Sequence, residues 1–298
     1  MSFYTKRGII KLSAFGGVFL ILSQLTTGCL SFRLSDKKAY KYFEDKPVKP
    51  SIHKYQIDGR HINYADIGSD SLPVVIFFHG APGGWNAFIN FMANPKLQSI
   101  SRMISVDRPG YGYSDYGEPV TSLARQCELM KPILDSVRHQ KTILVGHSLG
   151  GPIIAKMAMD YPDLVDGLIF VGGSIDPEME KDEWYRYIMR TALGRLLLPG
   201  SFWSTNEEIF FLKEELELML PDWQKIDIPV TVIQGVEDTL VPKENAYFAE
   251  KMIKEDQLEV WMEDGVNHFI PWNRPDLIEK AIHKHVEGLR SLEQISAY

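Results

Sequence analysis

Ser148 sits in Gly146-His147-Ser148-Leu149-Gly150-Gly151, directly after the apolar run Thr142 to Val145 and directly before a helical pattern carrying Ile153, Ile154, Met157 and Ala158. A serine between a strand and a helix, with glycine two residues away on either side, fits a sharp turn that presents its hydroxyl at a helix N-terminus. A hydroxyl is a weak nucleophile until a base takes its proton, so an imidazole must lie within reach. The chain has eight histidines. His53 and His61 fall in an early hairpin, His139 precedes the elbow strand, and His283 and His285 lie on the last helix, where surface or core roles suit them. His79 belongs to a second motif, and His147 is expected to point away from the base position. That leaves His268, in the loop Asp264-Gly265-Val266-Asn267-His268-Phe269 after the final apolar run.

The acid that orients this imidazole is expected in the loop after an earlier strand. Val232-Ile233-Gln234-Gly235-Val236-Glu237-Asp238 offers Asp238, with Glu237 as a near rival and Asp264 and Asp176 as distant ones. The order Ser148, Asp238, His268 is the chain order such an elbow requires. Two amides must meet a developing oxyanion. One is the N–H of Leu149; the other is expected from Ala81 in His79-Gly80-Ala81-Pro82-Gly83-Gly84, because Pro82 has no N–H.

These residues need strands and helices to hold them. An alternating pattern from His53 to Ile67 around Asp58-Gly59 predicts a β-hairpin. Apolar runs follow at Pro73 to Phe78, Met103 to Val106, Thr142 to Val145, Leu164 to Val171, Val230 to Gln234 and Leu258 to Met262, and a helical pattern spans Pro275 to Leu289. Helix-length spacers between most of them predict a parallel sheet built from strand-helix units. Residues 174–227 break this rhythm with an aromatic, helical insertion too long for an ordinary connection. Trp184, Tyr185, Tyr187, Phe202, Trp203, Phe210 and Phe211 fall in it, and Phe211, Leu212, Leu216, Leu218 and Met219 predict an amphipathic helix.

With 298 residues, 45% of them hydrophobic, the chain can bury a full core, and its net charge of −7 provides no basic face for nucleic acid. Two cysteines, Cys29 and Cys127, exclude a disulfide framework and a thiolate zinc site. No metal and no cofactor is expected, since His283 and His285 are two apart and face different sides of a helix. At the N-terminus, Lys6, Arg7 and Lys11 precede an uncharged stretch from Leu12 to Gly28, the layout of an export signal. Leu25-Thr26-Thr27-Gly28-Cys29 resembles the lipobox of bacterial lipoproteins, with Thr26 departing from the usual leucine and Cys29 as the lipid attachment. An uncleaved signal anchor and a simple cleaved signal are the rivals. Residues 1–28 are thus expected as a signal and 29–52 as a polar tether. Residues 53–173 with 228–290 form the core, and 174–227 the cap. Export to the cell envelope, held to the membrane by lipid or anchor, follows.

Taken together, the His79-Gly80-Ala81-Pro82-Gly83 loop, Asp107-Arg108-Pro109-Gly110-Tyr111-Gly112-Tyr113-Ser114, the elbow at Ser148, Asp238 and His268 resemble the α/β-hydrolase superfamily. The resemblance implies an α/β fold with an eight-stranded, mostly parallel sheet and a small helical cap inserted after the sixth strand. Epoxide hydrolases and dehalogenases share the oxyanion loop but use an aspartate where this chain has Ser148. The expected activity is hydrolysis of carboxylic esters or thioesters, a small-molecule substrate with an apolar acyl group, through a Ser-His-Asp acyl-enzyme. The alternatives are a ligand-binding member of the fold with a slow or silent triad, and an amide hydrolase resembling proline iminopeptidases. The cap is shorter than theirs.

Overall fold

The computed structural model describes residues 32–296; the expected signal over residues 1–28 and the expected lipid site Cys29 lie outside them. Strands β1 (Ser51–Ile57) and β2 (Arg60–Ile67) form the expected hairpin, turning through Asp58 and Gly59, both at positive φ (48° and 75°). That pair of left-handed residues gives the tight two-residue connection that matches strand twist. β3 (Val74–Phe78), β4 (Arg102–Val106), β5 (Thr142–His147), β6 (Gly167–Val171), β7 (Val230–Gly235) and β8 (Leu258–Glu263) complete one eight-stranded sheet of order β1-β2-β4-β3-β5-β6-β7-β8. β1, β2 and β4 pair antiparallel, and every other pair is parallel. Leu164, expected in the sixth strand, instead lies in a short 3-10 turn before it.

The central strands β3, β5 and β6 are buried at every position because both faces are covered, and most of their residues are apolar. Val74, Ile76 and Phe78 pack with Leu144, Leu168 and Phe170 on one side, under α2 (Leu123–Ser136) and α3 (Gly150–Asp160). Val75, Phe77, Ile143, Val145, Ile169 and Val171 face the other side with the last helix (Pro275–Ser296), which runs past its expected end at Leu289. The polar stretch expected as a tether is docked on that second side. Its residues Asp36–Tyr42 form α1, capped by Ser35, and Ala39 and Phe43 are fully buried among Phe77, Phe88 and Phe91. Burial of these two apolar side chains helps to fix an arm that is otherwise rich in charge.

The insertion between β6 and β7 holds α4 (Trp184–Met189), α5 (Ala192–Leu197) and α6 (Gly200–Met219). α6 meets the core through Leu212, Leu216 and Met219 at its C-terminal end, but through Ser201, Ser204, Asn206, Glu207 and Glu208 at its start, and Leu218 is exposed. Its N-terminal half is anchored by a buried ion pair. Arg108 gives Nη1 to Glu208 Oε1 at 3.1 Å and Nη2 to Oε2 at 3.0 Å, with Gln126 Nε2 (3.0 Å) and the Tyr111 hydroxyl (2.9 Å) completing the carboxylate. Glu208→Ala strands the guanidinium in the interior and is expected to cost about 3–5 kcal/mol, read as a lower urea midpoint. Glu208→Gln keeps an acceptor and should lose less, and unchanged midpoints for both would contradict the anchoring role.

Candidate active site

Four loops at the carboxyl ends of parallel strands build the site, where open α/β sheets bind ligands. β5 runs into Ser148, whose φ of 54° is left-handed and costly for a residue with a side chain. The turn closes only because its neighbours lack a Cβ. One on Gly80 would stand 2.8 Å from Ser148 Cβ, one on Gly150 would overlap the Phe78 carbonyl, and one on Gly146 would overlap the Gly150 carbonyl. Ser148 N–H donates to Val171 O on β6 at 3.1 Å, and Ser148 O accepts from Gly151 N–H (2.9 Å) and Ser174 N–H (3.2 Å), so the turn is braced on both sides.

The loop after β8 brings in His268, and the loop after β7 brings in Asp238, with 2.7 Å between His268 Nδ1 and Asp238 Oδ2. The other carboxylate oxygen, Oδ1, accepts from Leu240 N–H (2.9 Å) and Val241 N–H (2.8 Å), which fixes the direction of Oδ2. A carboxylate accepts only, so Nδ1 carries the proton and Nε2 is left as the basic nitrogen. The rivals stand elsewhere: Glu237 and Asp264 are exposed, and Asp176 caps a 3-10 turn through Glu178 N–H. Ser148 and His268, both almost buried, line one cavity of about 780 Å³. Among the described residues the hydroxyl makes no hydrogen bond to the imidazole, a contact that tightens on substrate binding in enzymes of this kind.

Ala81 and Leu149 line the same cavity, and among the described residues neither N–H is engaged. The Ala81 amide is oriented by a relay. Arg108 N–H donates to His79 Nε2 at 3.0 Å, so the proton of this ring sits on Nδ1, which donates to Gly80 O at 2.5 Å. In a trans peptide the C=O and N–H point in opposite directions, so holding Gly80 C=O toward His79 turns Ala81 N–H away from it. Arg108 Nε also donates to His79 O at 2.9 Å, which joins the oxyanion loop to the ion pair of the cap.

His147 departs from expectation. Instead of pointing away, its ring packs 4.8 Å from that of His268 and its Nε2 donates to the His268 carbonyl at 3.0 Å. The reversal of chain direction at Ser148 is what puts its predecessor on the base loop. Burial, then His268, pushes the His147 pKa down to about 3, so His147 is neutral at ordinary pH. Other site residues that periodicity did not mark are Glu180, Glu183, Tyr185 and Arg186 of the cap, and Phe269 and Trp272 at the rim. Glu180 accepts from the Ser174 hydroxyl and is pushed up by burial, while Glu183 pairs with Arg186 at 2.7 Å. Cys127 lies on the buried face of α2, and burial raises its thiol pKa.

A sequence model of the alpha/beta hydrolase fold matches residues 73–196. The chain is similar to the proline iminopeptidase PfmaB of Pestalotiopsis fici, 24% identical over 282 residues, which cover 78% of this chain and 98% of that protein. It also resembles a 2-hydroxy-6-oxononadienedioate/2-hydroxy-6-oxononatrienedioate hydrolase of a Pseudomonas species, 30% identical over 118 residues. That match takes in 38% of this chain and only 40% of the relative. Among solved structures, a membrane phospholipase A superposes with a TM-score of 0.63 at 17% identity, covering 95% of this chain and 97% of the other. That likeness is one of fold.

The buried histidines make a pH prediction. His79 is held well below the histidine range by burial and by Arg108, His147 is down to about 3, and burial and Lys284 take His285 down to about 4. At pH 5 all three are neutral in the fold, whereas unfolded histidines near about 6.5 are protonated. The unfolded state then binds more protons, so these groups make stability fall as pH falls below about 6.5. Asp107, raised to about 6, and Glu180, raised by burial, act the other way, two groups against three. The melting temperature should drop between pH 7 and pH 5. His147→Gln should flatten the drop, since His147 alone supplies about 2 kcal/mol between pH 6.5 and 5. A wild-type melting temperature that is flat or rises toward pH 5 would contradict this.

Proposed function

From the premise that the chain has the α/β-hydrolase fold, we propose that it is a serine hydrolase of carboxylic esters or thioesters, with Ser148 as nucleophile, His268 as base and Asp238 as its orienting acid. The observation that carries this reading is the 2.7 Å contact of His268 Nδ1 with the buried Asp238 Oδ2, behind the cavity that Ser148 and His268 line. His268 Nε2 takes the Ser148 proton as Oγ attacks the acyl carbon. The oxyanion receives the N–H groups of Ala81 and Leu149, where preorganised donors act most strongly. Collapse breaks the bond to the leaving oxygen or sulfur, which departs with the proton from His268. Water, deprotonated by His268, then attacks the acyl-enzyme and releases the acid and Ser148. Asp238 holds the tautomer and offsets the positive charge of the imidazolium.

The half-buried Met179 and Ile209 and the exposed Leu240, Phe269 and Trp272 around the cavity suit an apolar acyl group. A second reading, cleavage of an amide beside a free amine, is favoured by Glu180 and Glu183 on the cavity wall and by the likeness to the Pestalotiopsis fici iminopeptidase. Both carboxylates already have partners, Ser174 and Arg186, so the ester reading is preferred. Export, with Cys29 as a lipid site or residues 12–28 as an anchor, is part of the proposal and rests on the sequence. Among the described residues no helix is long and apolar enough to cross a membrane.

On p-nitrophenyl esters of graded chain length, Ser148→Ala and His268→Ala should each lower kcat by roughly 10⁴ to 10⁶, and the double variant should be little worse. Asp238→Asn should cost on the order of 10⁴. Full activity of Ser148→Ala on every ester would overturn the reading. Amino-acid p-nitroanilides cleaved faster than any ester would favour the amide alternative.

A further inference from the structure

The cap turns two apolar faces to the outside. On α4, Trp184, Tyr187 and Ile188 are 73%, 53% and 59% exposed, and on α5, Leu193, Leu196 and Leu197 are 62%, 69% and 43% exposed. Both sets follow the spacing i, i+3, i+4, so each is one continuous helix face. Scattered exposed leucines are ordinary in a soluble protein, but six large apolar side chains on two consecutive helices form a patch that calls for a partner. The patch borders the active-site mouth, because Tyr185 and Arg186 of α4 line the cavity.

The start of the described chain lies at the same mouth. Phe32 lines the cavity and packs against Phe202 of the cap helix α6 with ring centroids 6.2 Å apart and planes tilted by 55°, and Arg33 reaches Gly112 O at 2.6 Å and lies 3.9 Å over Tyr116. The uncharged run ends at Gly28 and the candidate lipid site is Cys29. Three or four residues span at most roughly 10–14 Å of extended chain, so lipid or anchor alike would hold the bilayer within that distance of Phe32. Because α1 and Phe43 are packed on the core, residues 32–43 cannot pay out as slack. The local charge also fits. Residues 181–198 carry four basic and two acidic side chains, and residues 32–50 six and three, in a chain whose net charge is −7.

We propose that the outer face of α4 and α5 docks on an anionic phospholipid bilayer, with the active-site mouth opening onto the lipid. Apolar faces flanked by basic side chains insert at the boundary of headgroups and acyl chains in this manner. The proposal rests on residues 1–29 as a membrane address and is independent of the chemistry of Ser148.

The test uses the full chain reconstituted in phosphatidylethanolamine–phosphatidylglycerol vesicles whose acyl chains carry bromine, a short-range quencher of tryptophan. Trp85 and Trp223 are buried in the core and Trp203 and Trp261 are half-buried, whereas Trp184 stands on the docking face; Trp272, exposed at the mouth, is replaced by Phe in every protein compared, the reference included. Emission of the reference should be quenched, and Trp184→Phe should lower the quenched fraction roughly two-fold or more. Ile188→Asp/Leu193→Asp/Leu196→Asp should also remove Trp184 quenching while the protein still sediments with vesicles. Equal quenching of the reference and Trp184→Phe in sedimenting protein overturns the docking face alone. Protein that fails to sediment overturns anchoring and docking together. A triple variant that merely converts a detergent-solubilised dimer to monomer makes the face a self-contact, which also overturns the proposal.

Discussion

A serine held at a φ of 54° cannot relax without moving the sheet, and most of the site follows from that steric constraint. The elbow demands glycine at 146 and 150, and its close approach to the oxyanion loop demands glycine at 80. Bracing by β6 through Val171 and by Ser174 makes the sheet, and not the loop, responsible for the conformation. Strain of this kind, about 1–3 kcal/mol, persists only where surrounding structure over-determines it. Here the result is a Ser148 side chain in the cavity that His268 also lines, and a Leu149 N–H that makes no hydrogen bond among the described residues.

The second organising interaction is polar and buried. Glu208 of the cap holds Arg108, Arg108 holds His79, and His79 holds the peptide that ends in Ala81 N–H. Each donor and acceptor in this relay is satisfied, the condition under which a buried charge network is rigid and not a liability. One consequence is that the position of the cap and the orientation of the Ala81 amide are tied by a continuous set of hydrogen bonds. The cap is fastened in this way at the start of α6, whereas α4 and α5 contain no buried residue.

Much of this was legible in the sequence, for identifiable reasons. The sheet showed itself because strands buried on both faces read as uninterrupted apolar runs, and the hairpin because Asp58-Gly59 is a turn signature. Ser148, Asp238 and His268 were marked by their strand ends, and the structure sets Asp238 against His268 beside Ser148. What stayed hidden depended on distant partners. Glu208 is buried by Arg108, a hundred residues away, so a search for apolar periodicity misses the polar half of α6. His147 was expected to face away because neighbours in an extended strand alternate, but the left-handed residue after it breaks the alternation. The arm at 32–50 looks like a tether by charge, while buried Ala39 and Phe43, with Phe32 and Arg33 at the cavity mouth, dock it.

The central claim is that Ser148 is a nucleophile made reactive by His268. Treating the protein with a fluorophosphonate and mapping the adduct by mass spectrometry, with its rate of formation, tests this most directly. The account predicts one stoichiometric adduct on Ser148 that forms orders of magnitude more slowly in His268→Ala. No adduct, an adduct on another residue, or an unchanged rate in His268→Ala would contradict it.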